Sequence, residues 1–254
     1  MSDDVILIIG ASSDIGRELI RQLAQKNEIE SKNISLIAHV NSGTEKLEVL
    51  KQEIPYLSKH LTILKADLNT ETELFSMVES IKEQHGFPTQ IVHLAAAKLE
   101  LKRATQFEWQ SIVADLEVQL RSISIILQTF LPKMVKSTQR CKIVFMLSSV
   151  TMGTPAKYMT QYTVNKYAML GYFRSLAAEY ADKAICINAI SPSMVETQFL
   201  SNIPEKYVEM AAAAHPDKRN ASVNDVVPVI RFLLSSDSDY ISGVNLPVTA
   251  GSVI

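Results

Sequence analysis

Short apolar runs alternate with segments of helical periodicity along nearly the whole chain, and few folds can bury such a pattern. The runs are Val5–Ile9, Ile34–Ala38, Leu61–Leu64, Ile91–Ala95, Ile143–Leu147 and Ile185–Ile190, with Val244–Val248 a weaker seventh. Little in them alternates between apolar and polar, which suits strands covered on both faces. After the first run, Ile15, Leu19, Ile20, Leu23 and Ala24 recur at helical spacing. Further helical stretches lie near 44–54, 71–84, 107–137, 159–181 and 223–234. Ser222, with Asp225 three residues on, caps the last of them. Strands joined by crossover helices make right-handed βαβ units and a parallel sheet. The expectation is one α/β domain over residues 1–254, a doubly wound sheet of about seven parallel strands.

Composition narrows what such a domain does. Twenty-five Lys+Arg against 27 Asp+Glu leave a formal charge of −2, too weak for a general attraction to nucleic acid or anionic lipid. No apolar run approaches the roughly 18 residues of a membrane span. The opening residues Met1–Gly10 are acidic with five consecutive apolar residues, which does not fit a signal peptide, so a cytoplasmic protein is expected. Two cysteines, Cys141 and Cys186, each begin an apolar run and read as buried strand thiols; no metal site is expected.

Two clusters carry chemistry. Gly10-Ala11-Ser12-Ser13-Asp14-Ile15-Gly16 joins the first strand to the first helix, where backbone N–H groups and the positive helix end can face a pyrophosphate. Asp14 opposes this unless it points away, although Asp tolerates the left-handed backbone that glycine supplies in such turns. In the second cluster the run Ile143–Leu147 ends in Ser148-Ser149, and Tyr162 follows thirteen residues after Ser149. Lys166 lies four residues beyond Tyr162, on the same helical face. A lysine charge about 5 Å from a phenol, at an effective dielectric of about 20, favours phenolate by about 3 kcal/mol, or roughly two pKa units. That would suit Tyr162 to general acid–base work, with Ser149 holding a substrate oxygen beside it. The irregular segment 191–221 follows a strand and is a candidate substrate lid.

With these pieces in order, the chain resembles a classical short-chain dehydrogenase/reductase over essentially its whole length, with similarity to 3-oxoacyl-carrier-protein reductases. The resemblance runs from Gly10–Gly16 through Ala66-Asp67-Leu68 and Ile91–Ala96 to Ser149, Tyr162 and Lys166. It continues over 188–197, 225–236, 241–243 and 248–251. It implies a Rossmann-type domain, a homodimer or homotetramer, and hydride transfer between NAD(P) and a carbonyl/alcohol pair. Position by position, Tyr162 resembles the general acid/base, Ser149 the substrate-oxygen holder, and Lys166 the residue that binds nicotinamide ribose. Gly10, Ser12, Ser13, Ile15 and Gly16 match the cofactor turn. Asp67 and Leu68 match the adenine contacts, although Asp67 also fits a turn cap. Ala95 and Ala96 lie in the cofactor-facing strand end. Val195 and Thr197 match contacts to the nicotinamide end, and Thr197 also fits a helix N-cap.

Departures are mostly lost glycines and asparagines. Ile9 stands for Thr, Asp14 for Gly, Leu94 for Asn, Ser193 for Gly, and Thr249-Ala250 for Asp-Gly. The family's catalytic asparagine falls on Gln119 when counted back from Phe130-Leu131-Pro132, and on Leu116 when counted forward from Trp109. At the end of the second strand no acid is present, and His39, Asn41 and Ser42 can donate to a 2′-phosphate, which favours NADP(H) over NAD(H).

The resulting expectation is an NADP(H)-dependent carbonyl reductase or alcohol dehydrogenase acting on a small-molecule or acyl-thioester carbonyl. Val150–Tyr158, Met194 and 198–215 would wall the pocket. Lys98, Lys102 and Arg103 form either a landing site for an acidic carrier or a solvated loop. Met169, Phe173, Leu176 and Tyr180 would form a self-association face. A nucleotide-binding regulator or scaffold without turnover is the alternative.

Overall fold

The computed structural model describes residues 4–30 and 33–253, so Met1–Asp3 of the acidic opening lie outside the described residues. The strands are β1 (Asp4–Ile9), β2 (Ile34–Val40), β3 (Leu61–Lys65), β4 (Gln90–His93), β5 (Cys141–Met146), β6 (Ile185–Pro192) and β7 (Asn245–Val248). They form one sheet in the order β3-β2-β1-β4-β5-β6-β7, every pair parallel. The main helices are α1 (Asp14–Ile29), α2 (Thr44–Glu53), α3 (Leu57–His60), α4 (Glu71–His85), α5 (Trp109–Leu116), α6 (Ser122–Met134), α7 (Thr160–Glu179), α8 (Glu205–Ala214) and α9 (Val223–Leu234).

Strand residues of successive parity serve opposite faces. Ile37, Ile9, Ile91 and Phe145 point to a core closed by α4, α6 and α7. Ile8, Ala38, Val92 and Val144 point to one closed by α1, α2 and α9. The chain builds outward through β2 and β3, then returns to place β4 beside β1. The crevice therefore opens where strand order reverses, at the carboxyl ends of β1 and β4. This is the expected Rossmann-type doubly wound domain. Cys141 and Cys186 are buried free thiols in β5 and β6. Among the described residues no helix is long and apolar enough to cross a membrane, and no cluster of three His, Cys, Asp or Glu could hold a metal ion.

Several boundaries differ from the sequence reading. The second strand runs on to Val40, which turns His39 towards the core. β4 stops at His93, leaving Ala95 and Ala96 in the irregular crossover. The stretch 107–137 is two helices joined by a π-helical turn over Glu117–Arg121. α8 escapes a search for apolar stripes because it buries no residue; its four alanines favour helix on propensity alone. The Ser222–Asp225 capping box is present, and Arg219 clasps Asp225 through both carboxylate oxygens. Met169, Phe173 and Leu176, read as a self-association face, are consumed by the chain's own core. α7, which carries these residues, is more deeply inserted than its sequence suggests, and its exposed large apolar residues are Val164 and Tyr167.

Candidate active site

At the end of β1 the backbone turns through Gly10 at φ +83°, where a Cβ would lie 2.9 Å from the Ala95 nitrogen. Gly16 lets α1 close on the turn, since a Cβ there would meet the Ala11 carbonyl at 2.6 Å. Ser13 is the N-cap: its Oγ accepts the Gly16 N–H at 3.2 Å and donates to the Gly10 carbonyl at 2.8 Å. Asp14 is the first helical residue, so the turn does not use it in a left-handed conformation. Its carboxylate pairs with Arg17, and Oδ2 accepts the backbone N–H of Gln198 at 2.7 Å.

His39 overturns part of the sequence reading. It is buried, with Nδ1 accepting the Gly10 N–H at 3.3 Å and Nε2 3.0 Å from the Ala66 carbonyl, which fixes the Nε2–H tautomer. Burial lowers its pKa, against the Ala66 hydrogen bond and the Asp67 charge. A neutral ring engaged at both nitrogens offers a phosphate nothing. Asn41 and Ser42 are exposed at the strand end. Gly43 abuts Ser12, and Lys46, one turn further on, donates to Gln198 Oε1 at 2.9 Å. Asp67 closes an Asx turn by accepting the Asn69 N–H at 2.9 Å, while its own N–H goes to Glu73 Oε2 at 2.8 Å. Leu68 is buried beneath it, and Ala95 and Ala96 are half-buried beside Gly10.

Across the crevice, β5 ends at Met146, and the chain runs through Leu147 and the N-cap Ser148 into the 3₁₀ turn Ser149–Thr151. Lys166 is buried; its Nζ donates to the Met146 carbonyl at 3.1 Å and lies 5.7 Å from the Tyr162 ring centroid. Burial pulls the Lys166 pKa down to about 8, with the Asp115 carboxylate resisting. Tyr162 is half-buried, but its hydroxyl surroundings are desolvated, and that burial raises its pKa; a hydrogen bond with the Ser148 side chain opposes the rise. The expected lowering by Lys166 is therefore absent: burial sets the direction, and the group that opposes it is the Ser148 side chain rather than the ammonium. Ser149 is half-buried one residue beyond Ser148.

The two positions considered for the asparagine separate cleanly. Leu116 ends α5, whereas Gln119 is buried at the centre of the π-helical turn, its Oε1 without a partner among the described residues. Such turns frequently mark functional sites. Beyond β6, which takes up Ser191 and Pro192, Val195 forms an isolated bridge with Ala221. Thr197 donates to the Val195 carbonyl at 3.3 Å and caps no helix through its side chain. Phe199 then packs on Tyr162, ring centroids 6.1 Å apart. Gln198 and Phe199 thus tie the 191–221 segment to both sides of the crevice. In the crossover, Lys102 is matched by Glu100 at 2.8 Å.

Residues 10–252 match the family model described as enoyl-(acyl carrier protein) reductase, one of the short-chain dehydrogenase/reductase models. The chain is a short-chain dehydrogenase/reductase. The 3-oxoacyl-(acyl-carrier-protein) reductase of Thermotoga maritima is 27% identical over 254 residues, covering 98% of each chain. Its counterpart from Buchnera aphidicola is 25% identical over 250 residues, covering 97% of this chain and 96% of its own. The crystal structure of 3-ketoacyl-(acyl-carrier-protein) reductase from Brucella melitensis complexed with NADH superposes with a TM-score of 0.84 at 22% identity. It spans 99% of this chain and 98% of that one.

The candidate site of this short-chain dehydrogenase/reductase also holds residues to which sequence reasoning gave no specific contact. Ser148, Asp115 and Lys46 make contacts between distant segments, and Gln198 and Phe199, expected only as part of the 198–215 pocket wall, make specific contacts with Asp14, Lys46 and Tyr162. His93, at the end of β4, is buried with Nε2 unpartnered among the described residues. Its pKa is driven down to about 3 by burial, with Lys166 and His39 adding to the shift. Only Ser148, adjacent to Ser149, left a local signal.

Proposed function

We propose that the chain is an NADP(H)-dependent oxidoreductase that interconverts a carbonyl and an alcohol, with 3-oxoacyl thioesters the favoured substrate class. The observation that carries this reading is the buried Lys166 one helical turn from Tyr162, set against the serine turn that ends β5. The residues present fit a dinucleotide. The first-turn N–H groups of α1 lack helical acceptors, Gly10 and Gly16 bring that turn close to the strand ends, and Arg17 and Gln198 draw the Asp14 carboxylate aside. Gly10, Ser12, Ser13, Ile15 and Gly16 would hold the diphosphate, Asp67 and Leu68 the adenine, and Val195 and Thr197 the nicotinamide end.

When bound, the nicotinamide supplies hydride to the substrate carbon or removes it. Tyr162 would give its proton to the carbonyl oxygen in reduction and take it back in oxidation. Ser148 and Ser149 would hold that oxygen and the phenol in line. Protonated Lys166 would stabilise the tyrosinate left behind, and Gln119 offers a buried carbonyl oxygen in place of the usual asparagine. NADP(H) is favoured by the absence of an acid from 39–43 and by exposed Asn41 and Ser42, with Lys46 supplying a cation at the mouth. His39 has no part in that choice. The 191–221 segment would act as the lid. We propose a cytoplasmic homodimer or homotetramer, in keeping with the resemblance and with exposed Trp109, Val164 and Tyr167 on α5 and α7.

A nucleotide-binding regulator is the second reading, favoured by an acidic Asp14 at the anion-binding end of α1 and by Gln119. NADPH and NADH titrations, together with NADPH oxidation on ketones, quinones and 3-oxoacyl thioesters, separate the two. The enzyme reading expects tighter NADPH binding and turnover on at least one member. Binding without turnover on any of them supports the regulator.

A further inference from the structure

Asp115, in the last turn of α5, sits one helix away from the reacting groups. One of its oxygens, Oδ2, accepts from Gln161 Nε2 at 2.6 Å and from Asn165 Nδ2 at 2.9 Å. Gln161 and Asn165 each precede a site residue, Tyr162 and Lys166, so a single carboxylate oxygen bridges the same two turns of α7 that carry the candidate acid/base pair. Asn165 is fully buried, and its Oδ1 has no partner among the described residues.

Two amides alone do not call for a carboxylate. A neutral acceptor would tie α5 to α7 without the cost of desolvating a charge. The cation that gains from a charge there is Lys166. The other titratable groups around the pair are Tyr162 on α7 and His93 on β4, both facing Lys166, and Glu100 and Lys102 in the crossover, which face Asp115 and are paired with each other at 2.8 Å. His93 is held neutral by burial, which leaves Asp115 as the carboxylate acting on the ammonium.

Building on the oxidoreductase reading above, we propose that Asp115 is a positioning residue. It fixes the Tyr162–Lys166 face of α7 through Gln161 and Asn165, and its charge keeps Lys166 protonated at the pH of turnover. Consistently, burial raises the Asp115 pKa, opposed by the two amides, and Asp115 and Lys166 each shift the other towards the charged form.

The test compares Asp115→Asn, Asp115→Glu and Gln161→Ala with the wild type. One readout is the pH profile of kcat and KM for NADPH-dependent carbonyl reduction. The other is the pH dependence of Lys166 acylation by an amine-reactive reagent, read on its peptide by mass spectrometry, which needs no turnover. Asp115→Asn should move the acylation midpoint and the basic limb of kcat to lower pH by about one unit, with KM little changed. Asp115→Glu should restore both. Gln161→Ala removes one hydrogen bond and keeps the charge, so its midpoint should match the wild type. An unmoved midpoint in Asp115→Asn, or an equal shift in Gln161→Ala, overturns the proposal. If the wild type turns over no substrate, the oxidoreductase reading fails, while the acylation midpoints still decide the role of Asp115.

Discussion

The two walls of the crevice treat their polar groups in opposite ways. On the β1–β2 wall most of the polar groups at the turn are satisfied within the chain, although Arg17 Nε is buried without a partner among the described residues. His39 is engaged at both nitrogens, Ser13 both donates and accepts, and the two oxygens of Asp14 serve Arg17 and Gln198. On the opposite wall, Asn165 Oδ1 and Thr163 Oγ1 of α7, Gln119 Oε1 of the π-helical turn and Ser193 Oγ just beyond β6 are buried without partners among the described residues, and Lys166 is buried on α7. Unmatched buried groups are rare in folded chains, and each calls for an explanation such as strain, an ordered water or a chemical role. The first wall holds its shape through internal pairs, and the second carries a buried lysine and more unpaired groups at a cost in stability. Substitutions on the first should therefore damage the fold, and some on the second should improve it.

His39→Asp is the most severe way to break the β1–β2 wall. It puts a carboxylate in a buried slot beside a carbonyl and should cost about 4 kcal/mol, read by urea unfolding. A folded variant with its cofactor preference switched instead would mean that the ring is not structural. Gly10→Ala comes next. At φ +83° with a contact of 2.9 Å, it should cost about 3 kcal/mol and weaken dinucleotide binding. Lys166→Met should act in the opposite direction. A folded-state value of about 8 against 10.5 corresponds to about 3 kcal/mol spent on burying the charge. Below about pH 8 both states hold the proton and the full cost applies. From there to the unfolded value the folded protein has released its proton and the unfolded chain has not, so wild-type stability rises with pH. The variant should gain about 2 kcal/mol at neutral pH, after loss of the Met146 hydrogen bond, and the gain should vanish as pH climbs through that window. Chemical denaturation at several pH values checks both size and sign. Asn41→Asp, at an exposed position, should leave stability alone and weaken NADPH relative to NADH by about 1 kcal/mol, measured by paired titrations.

Most of the fold was legible because strands inside the sheet leave apolar runs, weakest at the edge strand β7, and the spacing of the candidate site because Ser149, Tyr162 and Lys166 lie within eighteen residues of one another. His39 was misplaced by a boundary two residues short: ending β2 at Ala38 left the ring in solvent, whereas a strand to Val40 turns it inward beside Ile37. The π-helical turn has no sequence signature of its own, yet the three-residue disagreement between the counts to Leu116 and Gln119 marked its position. The Asp14–Gln198 bond spans 184 residues and the Asp115–Asn165 bond 50, so neither leaves a local pattern. What periodicity reports is burial; pairings between polar side chains on different elements have to be seen.

The central claim is that Tyr162 is the proton donor of an NADPH-dependent reduction. Its most direct test is NADPH oxidation with a 3-oxoacyl thioester, run on the wild type and Tyr162→Phe beside an NADPH binding titration of each. One oxygen is removed from a half-buried ring, so fold and cofactor affinity should persist, while kcat/KM should drop by about 100-fold or more. A variant that keeps more than about a tenth of wild-type kcat/KM, a loss below about 1.4 kcal/mol, would contradict the account.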